Sequence, residues 1–285
     1  MLYQQILEKK DHKAAVLFER AIANWEALTP EEKERRHKDQ KNYIKALYHL
    51  AKARLRLGHY QEAEHVARKC LDQDRVTDHE EPIHKFYLLG KILMEAGRPE
   101  EALGHLKNAA HMRSKRPKDY IFYTLAECLT RVDRWEEALE WLQKIPPCFA
   151  KPHMKRLAGW IHYRLGEYEK AAVLLDQALA EDTKGCHLTL VLMGKIFMDM
   201  KNWERAIECF RQANEFKRKE FLNDHLEALL GEAECLLEME NREGALDTYR
   251  RVLALDENNP TARRALSKLT GQEILPPSEL EDLPF

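Results

Sequence analysis

The sequence is rich in two residue types that commonly bind metals, with thirteen histidines and six cysteines. Tetrahedral metal sites need pairs at short spacing, such as Cys-x-x-Cys or His-Glu-x-x-His, so that two side chains reach one ion. Neither pattern occurs, and the adjacent pair Cys186-His187 stands alone. We therefore predict no metal site and no cofactor.

Catalysis would need an activated nucleophile, a pair of carboxylates or a loop that binds phosphate. The sequence contains no Gly-rich phosphate loop and no nucleophile elbow. The neighbouring carboxylates Glu136-Glu137 precede an alanine in a repeated pattern, where polar residues are expected on the surface. The chain is therefore not expected to be an enzyme.

Composition narrows the class of protein further. Of 285 residues, 44% are apolar and 33% charged, which is typical of a folded chain with much solvated surface. A net charge of -2 argues against the broad basic surface on which non-specific nucleic-acid binding depends. No stretch approaches the roughly 20 apolar residues of a membrane span, and the first ten residues lack a signal-peptide pattern. With six dispersed cysteines expected to be free thiols, we predict a cytoplasmic location.

A seven-residue pattern that ends in alanine recurs six times along the chain. The final alanines are separated by 39, 36, 33, 35 and 39 residues. Another small residue stands twelve positions before each of them: Ala51, Gly90, Ala126, Gly159, Gly194 and Ala233. The six copies of the pattern are residues 57–63, 96–102, 132–138, 165–171, 200–206 and 239–245.

This pattern resembles the tetratricopeptide repeat, whose period is about 34 residues. The resemblance implies an all-α fold, a right-handed α-solenoid of helix-turn-helix repeats. The small residue at repeat position 8 lets the two helices approach, and a residue at position 24 fills the space between them. The residues at position 24 are Ala67, Leu106, Leu142, Leu175, Phe210 and Tyr249.

The resemblance divides the chain into four parts. Residues 1–42 are predicted to hold a degenerate N-terminal repeat and a polar helix extension, 43–259 six repeats, 260–270 a capping helix, and 271–285 an acidic, proline-containing tail. The six repeats are placed at about 44–78, 83–116, 119–149, 152–185, 187–221 and 226–259.

The N-terminal part is predicted to contain three helices. Residues 1–8 and 13–22 are expected to form a shortened first helix and a second helix. Thr29-Pro30, with Glu32 three residues after the threonine, is a helix start signal. One continuous helix is expected from about residue 30 to residue 57, with a polar first half that projects into solvent.

Two departures from the repeat pattern predict local changes. The turn glycine of three repeats is replaced in the others by Asp133, Lys201 and Glu240, so a different form of turn is expected there. Pro146-Pro147 is expected to shorten the second helix of repeat three, because proline cannot donate a helical hydrogen bond.

In this family the first helices line a concave groove with repeat positions 2, 5, 9, 12 and 13. In repeats one to four these positions hold seven Lys or Arg, two His and six aromatic residues against two acids. Repeats five and six instead hold four acids and one Lys. A basic, aromatic groove suits an extended acidic or aromatic peptide, because Lys and Arg pair with carboxylates and aromatic rings give rigid contact area. The predicted binding residues are Lys45, Tyr48, Lys52, Tyr87, Lys91, Tyr123, Arg131, Arg156, Trp160 and Arg164.

We therefore predict a non-catalytic scaffold or adaptor that binds an extended acidic or aromatic segment of a protein partner. The family's clamp for chaperone C-termini is not expected, because it needs asparagine at position 6 of a repeat and no copy has one. Two alternatives are a single-stranded RNA-binding repeat protein and a self-associating structural oligomer. The acidic tail is a further candidate ligand, for its own groove or that of a second copy. Its four acids are Glu273, Glu279, Glu281 and Asp282.

Overall fold

A computed structural model of the chain describes the backbone of residues 2–77, 82–114 and 116–271, and their side chains other than those of residues 2–8 and 75–77. These residues form fifteen α-helices, two short 3-10 helices and no β-strand. They belong to two compact units, Met1–Ala150 and Lys151–Phe285. The predicted tail lies outside the described residues.

The first unit holds eight α-helices, with 3-10 helices at His37–Asp39 and Pro147–Phe149. After two N-terminal helices, α3 pairs with α4, α5 with α6 and α7 with α8. The α-helices are α1 (Leu2–Glu26), α2 (Pro30–Arg35), α3 (Gln40–Arg56), α4 (Tyr60–Thr77), α5 (Pro82–Glu95), α6 (Pro99–His111), α7 (Asp119–Thr130) and α8 (Trp135–Gln143).

The second unit holds three helix pairs and a final single helix. Helix α9 pairs with α10, α11 with α12, and α13 with α14, while α15 packs on α14. The helices are α9 (Pro152–Arg164), α10 (Tyr168–Glu181), α11 (Cys186–Asp199), α12 (Trp203–Phe221), α13 (Leu226–Glu238), α14 (Arg242–Leu255) and α15 (Pro260–Thr270).

Within each pair the helices approach at a small residue of the first helix. A Cβ atom added to Gly90 would lie 2.6 Å from Cγ of Leu106, and one added to Gly159 would lie 2.8 Å from Cγ of Leu175. These contacts join repeat positions 8 and 24, as the resemblance implies. The core of each unit therefore lies between the two helices of a pair and between neighbouring pairs of that unit.

The turns that join paired helices share one backbone form, contrary to the expectation of two forms. Asp133, Lys201 and Glu240 have φ angles of 56°, 57° and 60°, in the same left-handed region as the turn glycines of the other pairs. The residue after the left-handed one donates its amide to a carbonyl five residues earlier in every case, for instance Arg134 to Leu129 at 3.0 Å. The turn is retained because these bonds satisfy carbonyl groups at the helix end.

The N-terminal prediction of two helices is wrong. Residues 2–26 form the single helix α1, which packs along α3. Ala15 and Ile22 are buried in this contact and Phe18 and Trp25 partly so. Their spacing of three to four residues keeps one apolar face, and no proline or glycine interrupts it.

The continuous helix expected from residue 30 to residue 57 is broken. The cap at its start is present: Thr29 Oγ1 accepts from the Glu32 amide at 3.3 Å, and the Thr29 amide donates to the Glu32 carboxylate at 2.9 Å. The helix ends at Arg35, and α3 begins at Gln40. Lys33 reaches back to the Glu26 carbonyl at 3.2 Å, and α2 remains without buried residues.

Candidate peptide-binding groove

In the first unit the first helices of successive pairs contact one another, α3 with α5 and α5 with α7. Most of the predicted binding residues of this unit lie on these helices, and Arg131 follows the end of α7. We use the term basic-aromatic surface for the basic and aromatic residues at repeat positions 2, 5 and 9 of these three helices. It consists of Lys45, Tyr48, Lys52, His84, Tyr87, Lys91, Tyr120 and Tyr123.

The centre of the basic-aromatic surface is a cluster of rings that joins α5 to α7. Tyr87 and Tyr120 meet edge to face with centroids 4.8 Å apart. Tyr120 also stacks on His84, and its hydroxyl lies 3.1 Å from Nδ1 of that histidine. Burial, followed by the nearby phenols of Tyr87 and Tyr48, raises the pKa of Tyr120 to about 12. The rings therefore form a packed platform that extends toward α3, with the phenol of Tyr120 protonated.

Tyr120 and His84 were not among the ten predicted binding residues, yet the Tyr120 ring contacts both Tyr87 and His84. Both occupy groove-facing repeat positions, so the repeat numbering is the signal that could have found them. Tyr87 adds a contact between its hydroxyl and Oγ1 of Thr124 at 3.4 Å. This contact fixes the ring of Tyr87 against the neighbouring helix. Tyr123 lies half-buried on α7.

The lysines of the basic-aromatic surface border this platform. Lys45 and Lys52 lie exposed on α3, two turns apart, and Lys91 lies half-buried on α5. Among the described residues, no carboxylate forms an ion pair with Lys52 or Lys91. An ammonium group without an ion-pair partner is available to a carboxylate from outside the chain.

Arg131 is engaged within its own unit. Its Nη1 donates to the Met94 carbonyl at 2.9 Å. Its Nη2 lies 3.7 Å from the Glu95 carboxylate and 3.9 Å from that of Glu127. Burial raises the pKa of Glu127 even though Arg131 and Lys91 oppose the rise. Arg131 therefore joins α7 to α5. Its guanidinium is less available to a ligand than the ammonium groups of Lys52 and Lys91.

Arg156 in the second unit is also tied to its neighbours. Its side chain is 18% exposed and Nη1 lies 3.2 Å from the Asp182 carboxylate. The same nitrogen lies 3.2 Å from Oγ1 of Thr189 and 3.4 Å from the Gly185 carbonyl. These bonds join α9 to α11 through the loop between their repeats.

The carboxylate of Asp182 completes this arrangement. Although burial alone would raise its pKa, hydrogen bonds from the amides of Gly185 and Lys184 and from Arg156 hold it below its usual range. Asp182 is therefore an ionised partner for Arg156, and the pair positions the loop.

Trp160 and Arg164, the other predicted residues of this unit, form a surface of their own on α9. The Trp160 ring stacks on Tyr163 at 5.3 Å, and the Arg164 guanidinium lies 5.6 Å from the Trp160 centroid. This arrangement is a cation–π contact at the surface. It can present an aromatic face and a charge to a ligand.

The first helices of the later repeats carry acids, as the sequence predicts. Lys195 on α11 pairs with Glu227 on α13 at 2.5 Å. Burial raises the pKa of Glu234, against the opposing charge of Lys195. Lys195 is therefore engaged within its own unit.

The described residues contain no group of three or more His, Cys, Asp or Glu side chains that could hold a metal ion. Burial raises the pKa of the Cys128 and Cys209 thiols to about 11 and that of Cys235 to about 12. Burial also raises the pKa of Cys186 beside His187. Protonated thiols are poor nucleophiles, so these cysteines are packing residues.

One buried ion pair in the first unit was not predicted from the sequence. Lys85 on α5 and Asp74 on α4 are 3% and 6% exposed and contact each other directly. Burial lowers the pKa of Lys85. The pair joins consecutive repeats, and it cannot contribute to ligand binding because it is buried.

Comparisons with known proteins agree with the helix pairs. Sequence profiles of the tetratricopeptide repeat match residues 44–77, 93–161 and 191–262, which together cover more than half of the chain. The chain therefore belongs to the tetratricopeptide repeat family, and the predicted all-α solenoid class is confirmed. A search among curated proteins finds no significant sequence match.

Several solved structures share this fold. A tetratricopeptide repeat protein from Parabacteroides merdae has a TM-score of 0.64 at 15% identity, covering 95% of this chain and 100% of that one. Yeast Tom70 has a TM-score of 0.63 at 15% identity, over 96% of this chain and 53% of that one. The Cut9-Hcn1 hetero-tetramer of the APC/C matches with a TM-score of 0.63 at 15% identity. It covers 79% of this chain, which spans only 42% of the matched chain.

None of the described helices is both long enough and apolar enough to cross a membrane.

Proposed function

We propose that the protein is a non-catalytic scaffold whose first unit binds an extended acidic or aromatic segment of a partner protein on the basic-aromatic surface. The observation that carries this proposal is the ring platform of Tyr87, Tyr120 and His84, bordered by Lys52 and Lys91, which form no ion pair with any carboxylate that the structure describes. A bound carboxylate would gain a charge-assisted hydrogen bond from Lys52 or Lys91. Aromatic or apolar side chains of the ligand would lie on the rings, which lose little entropy on binding.

The size of the surface limits the ligand. Three first helices packed about 9 Å apart cover about 18 Å, the length of five to six extended residues. Trp160 and Arg164 would give a second contact area in the other unit. Arg131 and Arg156, since both are held by internal partners, would position the elements around the ligand rather than bind it directly.

The family supports the coarser part of this proposal, because tetratricopeptide repeats serve as protein-interaction folds. One structural relative, Cut9, is seen in a hetero-tetramer with Hcn1. The half-buried or buried thiols with raised pKa values favour the absence of nucleophilic catalysis. All six cysteines are free, which favours the reducing environment of the cytoplasm.

The proposal can be tested by selecting random twelve-residue peptides on the full chain. We expect the selected peptides to be enriched in Asp, Glu and aromatic residues. The double variant Lys52→Glu with Lys91→Glu should weaken their binding at least about tenfold, since two attractive charges become repulsive. A matched control reverses two exposed cations elsewhere in the unit, Arg20→Glu with Arg113→Glu, and should bind as the wild type does.

Three results would contradict the proposal. The selected peptides could lack acids and aromatics, or the two double variants could bind them equally well. Tighter binding of a single-stranded RNA than of any selected peptide would favour the RNA-binding alternative. Light scattering on the same samples tests the second alternative, because a stable oligomer that persists at micromolar concentration would indicate self-association.

A further inference from the structure

The last helix of the second unit continues the pattern of a first helix. Pro260 opens α15 as other prolines open α5 and α9. Counting repeat positions from this proline places Thr261, Arg264 and Lys268 at positions 2, 5 and 9, which face the groove in the other first helices. On its opposite face, α15 buries Ala262 and Leu266.

A pocket of about 520 Å³ lies between α15, the end of α13 and the start of α14. Its floor is apolar, because Leu237, Ala265 and Leu269 pack against the core of the unit. Its cationic groups come from two helices. They are Arg242 at the start of α14 and Arg264 and Lys268 along α15.

The three cations around the pocket have no partner within the described part of the chain. Among the residues that the structure describes, no carboxylate or carbonyl binds the side chains of Arg242, Arg264 or Lys268. By contrast, Arg251 pairs with Asp224 at 3.3 Å, and Arg263, next to Arg264, donates to the Glu257 carbonyl at 2.8 Å. Three cations without described partners therefore border an apolar pocket floor.

We propose that this pocket binds an extended acidic segment of a partner protein in which carboxylates lie beside Leu, Ile or Phe. Arg264 and Lys268 are one turn apart on the same helix face, about 6 Å along the axis. In an extended chain, side chains two residues apart are separated by about 6.6 Å and point the same way. Two carboxylates in the pattern acid-x-acid would therefore reach both cations. An apolar side chain two residues before or after this pair of acids points the same way and would cover Leu237 and Leu269, as in pockets that combine an apolar floor with a few charges.

This site is independent of the proposed function, because it lies in the other unit and shares no residue with the basic-aromatic surface. An acidic segment is favoured over an uncharged apolar one, since three cations would otherwise be covered without compensation.

The test uses a ten-residue probe peptide with three aspartates, two leucines and one photoreactive leucine analogue. Its binding to the full chain is measured by fluorescence anisotropy, and crosslinked residues are mapped by mass spectrometry. We expect crosslinks to residues 237–242 and 260–269. The variant Arg264→Glu with Lys268→Glu should lower the crosslinking affinity at this site at least about tenfold. The control Lys219→Glu with Arg250→Glu, which makes the same change in charge at exposed positions outside the pocket, should leave it within about twofold.

Other outcomes would overturn the inference. Equal crosslinking of the two charge-reversal variants, or of a probe with asparagine in place of aspartate, would exclude charge recognition at the pocket. Crosslinks confined to α3, α5 and α7 would support the proposed function and contradict this site. Crosslinks confined to α13–α15 would support this site and contradict the proposed function.

The chain's own acids are tested by changing Glu273, Glu279, Glu281 and Asp282 to their amides. If this variant binds the probe more than about tenfold more tightly than the wild type does, residues 273–285 occupy the pocket. The proposal of a partner protein would then be wrong.

Discussion

Three of the turns between paired helices place a residue other than glycine in the left-handed region. A side chain with a Cβ atom is disfavoured there by about 1–2 kcal/mol, because Cβ approaches the next carbonyl oxygen. Glycine avoids this cost but loses more entropy on folding. Asp133, Lys201 and Glu240 therefore store a small amount of strain that the hydrogen bonds of the turn offset.

Replacing each of these residues by glycine should stabilise the protein. We expect a rise in the free energy of unfolding of about 0.5–1 kcal/mol for each of Asp133→Gly, Lys201→Gly and Glu240→Gly. Urea titration followed by circular dichroism measures the change. The reverse substitution, Gly97→Ala at a φ of 78°, should destabilise by a similar amount. If the glycine variants were no more stable than the wild type, the turns would not be strained.

Two buried histidines of the second unit each have a ring nitrogen without a hydrogen-bond partner. The rings of His187 and His225 lie 5.4 Å apart, and His187 stacks on Phe216 at 5.7 Å. Each side chain is 8% exposed, with Nδ1 of His187 and Nε2 of His225 unpaired. Burial lowers the pKa of both imidazoles. The charged groups that act on them are Lys217 and Arg156, which lower their pKa values further, and Asp182 and Glu227, which raise them.

The stability of the second unit should therefore fall in mild acid. A histidine whose pKa is lowered in the folded state is neutral there, so the unfolded chain binds more protons below its usual pKa near 6.5. Stability should be fully present above about pH 6.5 and decrease as the pH falls from there toward the folded-state pKa values. Urea midpoints between pH 7.5 and pH 5 measure this effect. His187→Phe should reduce the dependence, while the same change at exposed His65 should not; equal dependence in both variants would refute the assignment.

The sequence predicts which residues face the groove but not which of them form ion pairs with acids elsewhere in the fold. Lys52 and Arg156 both occupy groove-facing repeat positions, 9 and 5 respectively, and look alike in the sequence. Arg156, however, is held by Asp182 from the next loop, and only the fold reveals that contact. The loop acids lie outside the repeat pattern, so no spacing rule connects them to the arginine.

At the scale of helices, the contact between α11, α12 and α13 depends on one aromatic ring. A Cβ atom added to Gly194 would lie 2.6 Å from Cε1 of Phe210, and one added to Gly231 would lie 2.6 Å from Cε2. The ring of Phe210 therefore lies between the backbones of two first helices, and both glycines are required for it to fit.

Adding a methyl group at either glycine should destabilise the second unit. Gly194→Ala and Gly231→Ala overpack the ring and should each lower the free energy of unfolding by about 1–3 kcal/mol. Combining either with Phe210→Leu should recover part of the loss, which a double-mutant cycle measures. The control is Gly104→Ala, at an exposed position of α6, since nothing lies within 4 Å of an added Cβ there. It should stabilise by about 0.5–1 kcal/mol through helix propensity.

The helices themselves were predictable where the repeat pattern is strong and less so outside it. Small and large residues at fixed spacing indicate the six helix pairs, because packing demands them at the same positions in each copy. The N-terminal residues carry no such pattern, and there the length of α1 and the break after Arg35 depend on contacts with α3 and Glu26. Tertiary contacts thus decide what local sequence leaves open.

At the scale of the whole chain, the net charge of -2 conceals local charge of both signs. The basic-aromatic surface lies in the first unit and an acidic stretch in the second. We therefore expect the acidic peptides selected on the first unit to bind less tightly as salt rises, although the protein as a whole is slightly acidic. At 0.1 M salt, exposed charges more than about 10 Å apart are largely screened from each other.

The measurement is peptide affinity between about 50 mM and 0.5 M NaCl, a range in which the Debye length falls to a few ångströms. Affinity for the wild type should fall at least about threefold. The variant Lys52→Glu with Lys91→Glu should lose most of this dependence, because the attraction that salt screens is gone. Affinity that is constant across this range would show that the lysines do not contribute to binding.

The position of Phe210 also limits how this array could be re-engineered. Repeat proteins are often lengthened or recombined by exchanging whole repeats as equivalent blocks. Here the space for the phenylalanine of repeat five is provided partly by Gly231 of repeat six. A designer who inserts a consensus repeat after residue 221 would have to carry a glycine at the sixth position of the inserted block, or trim the phenylalanine to leucine. The boundary between these two repeats is therefore a poor place to cut and a useful one to redesign as a pair.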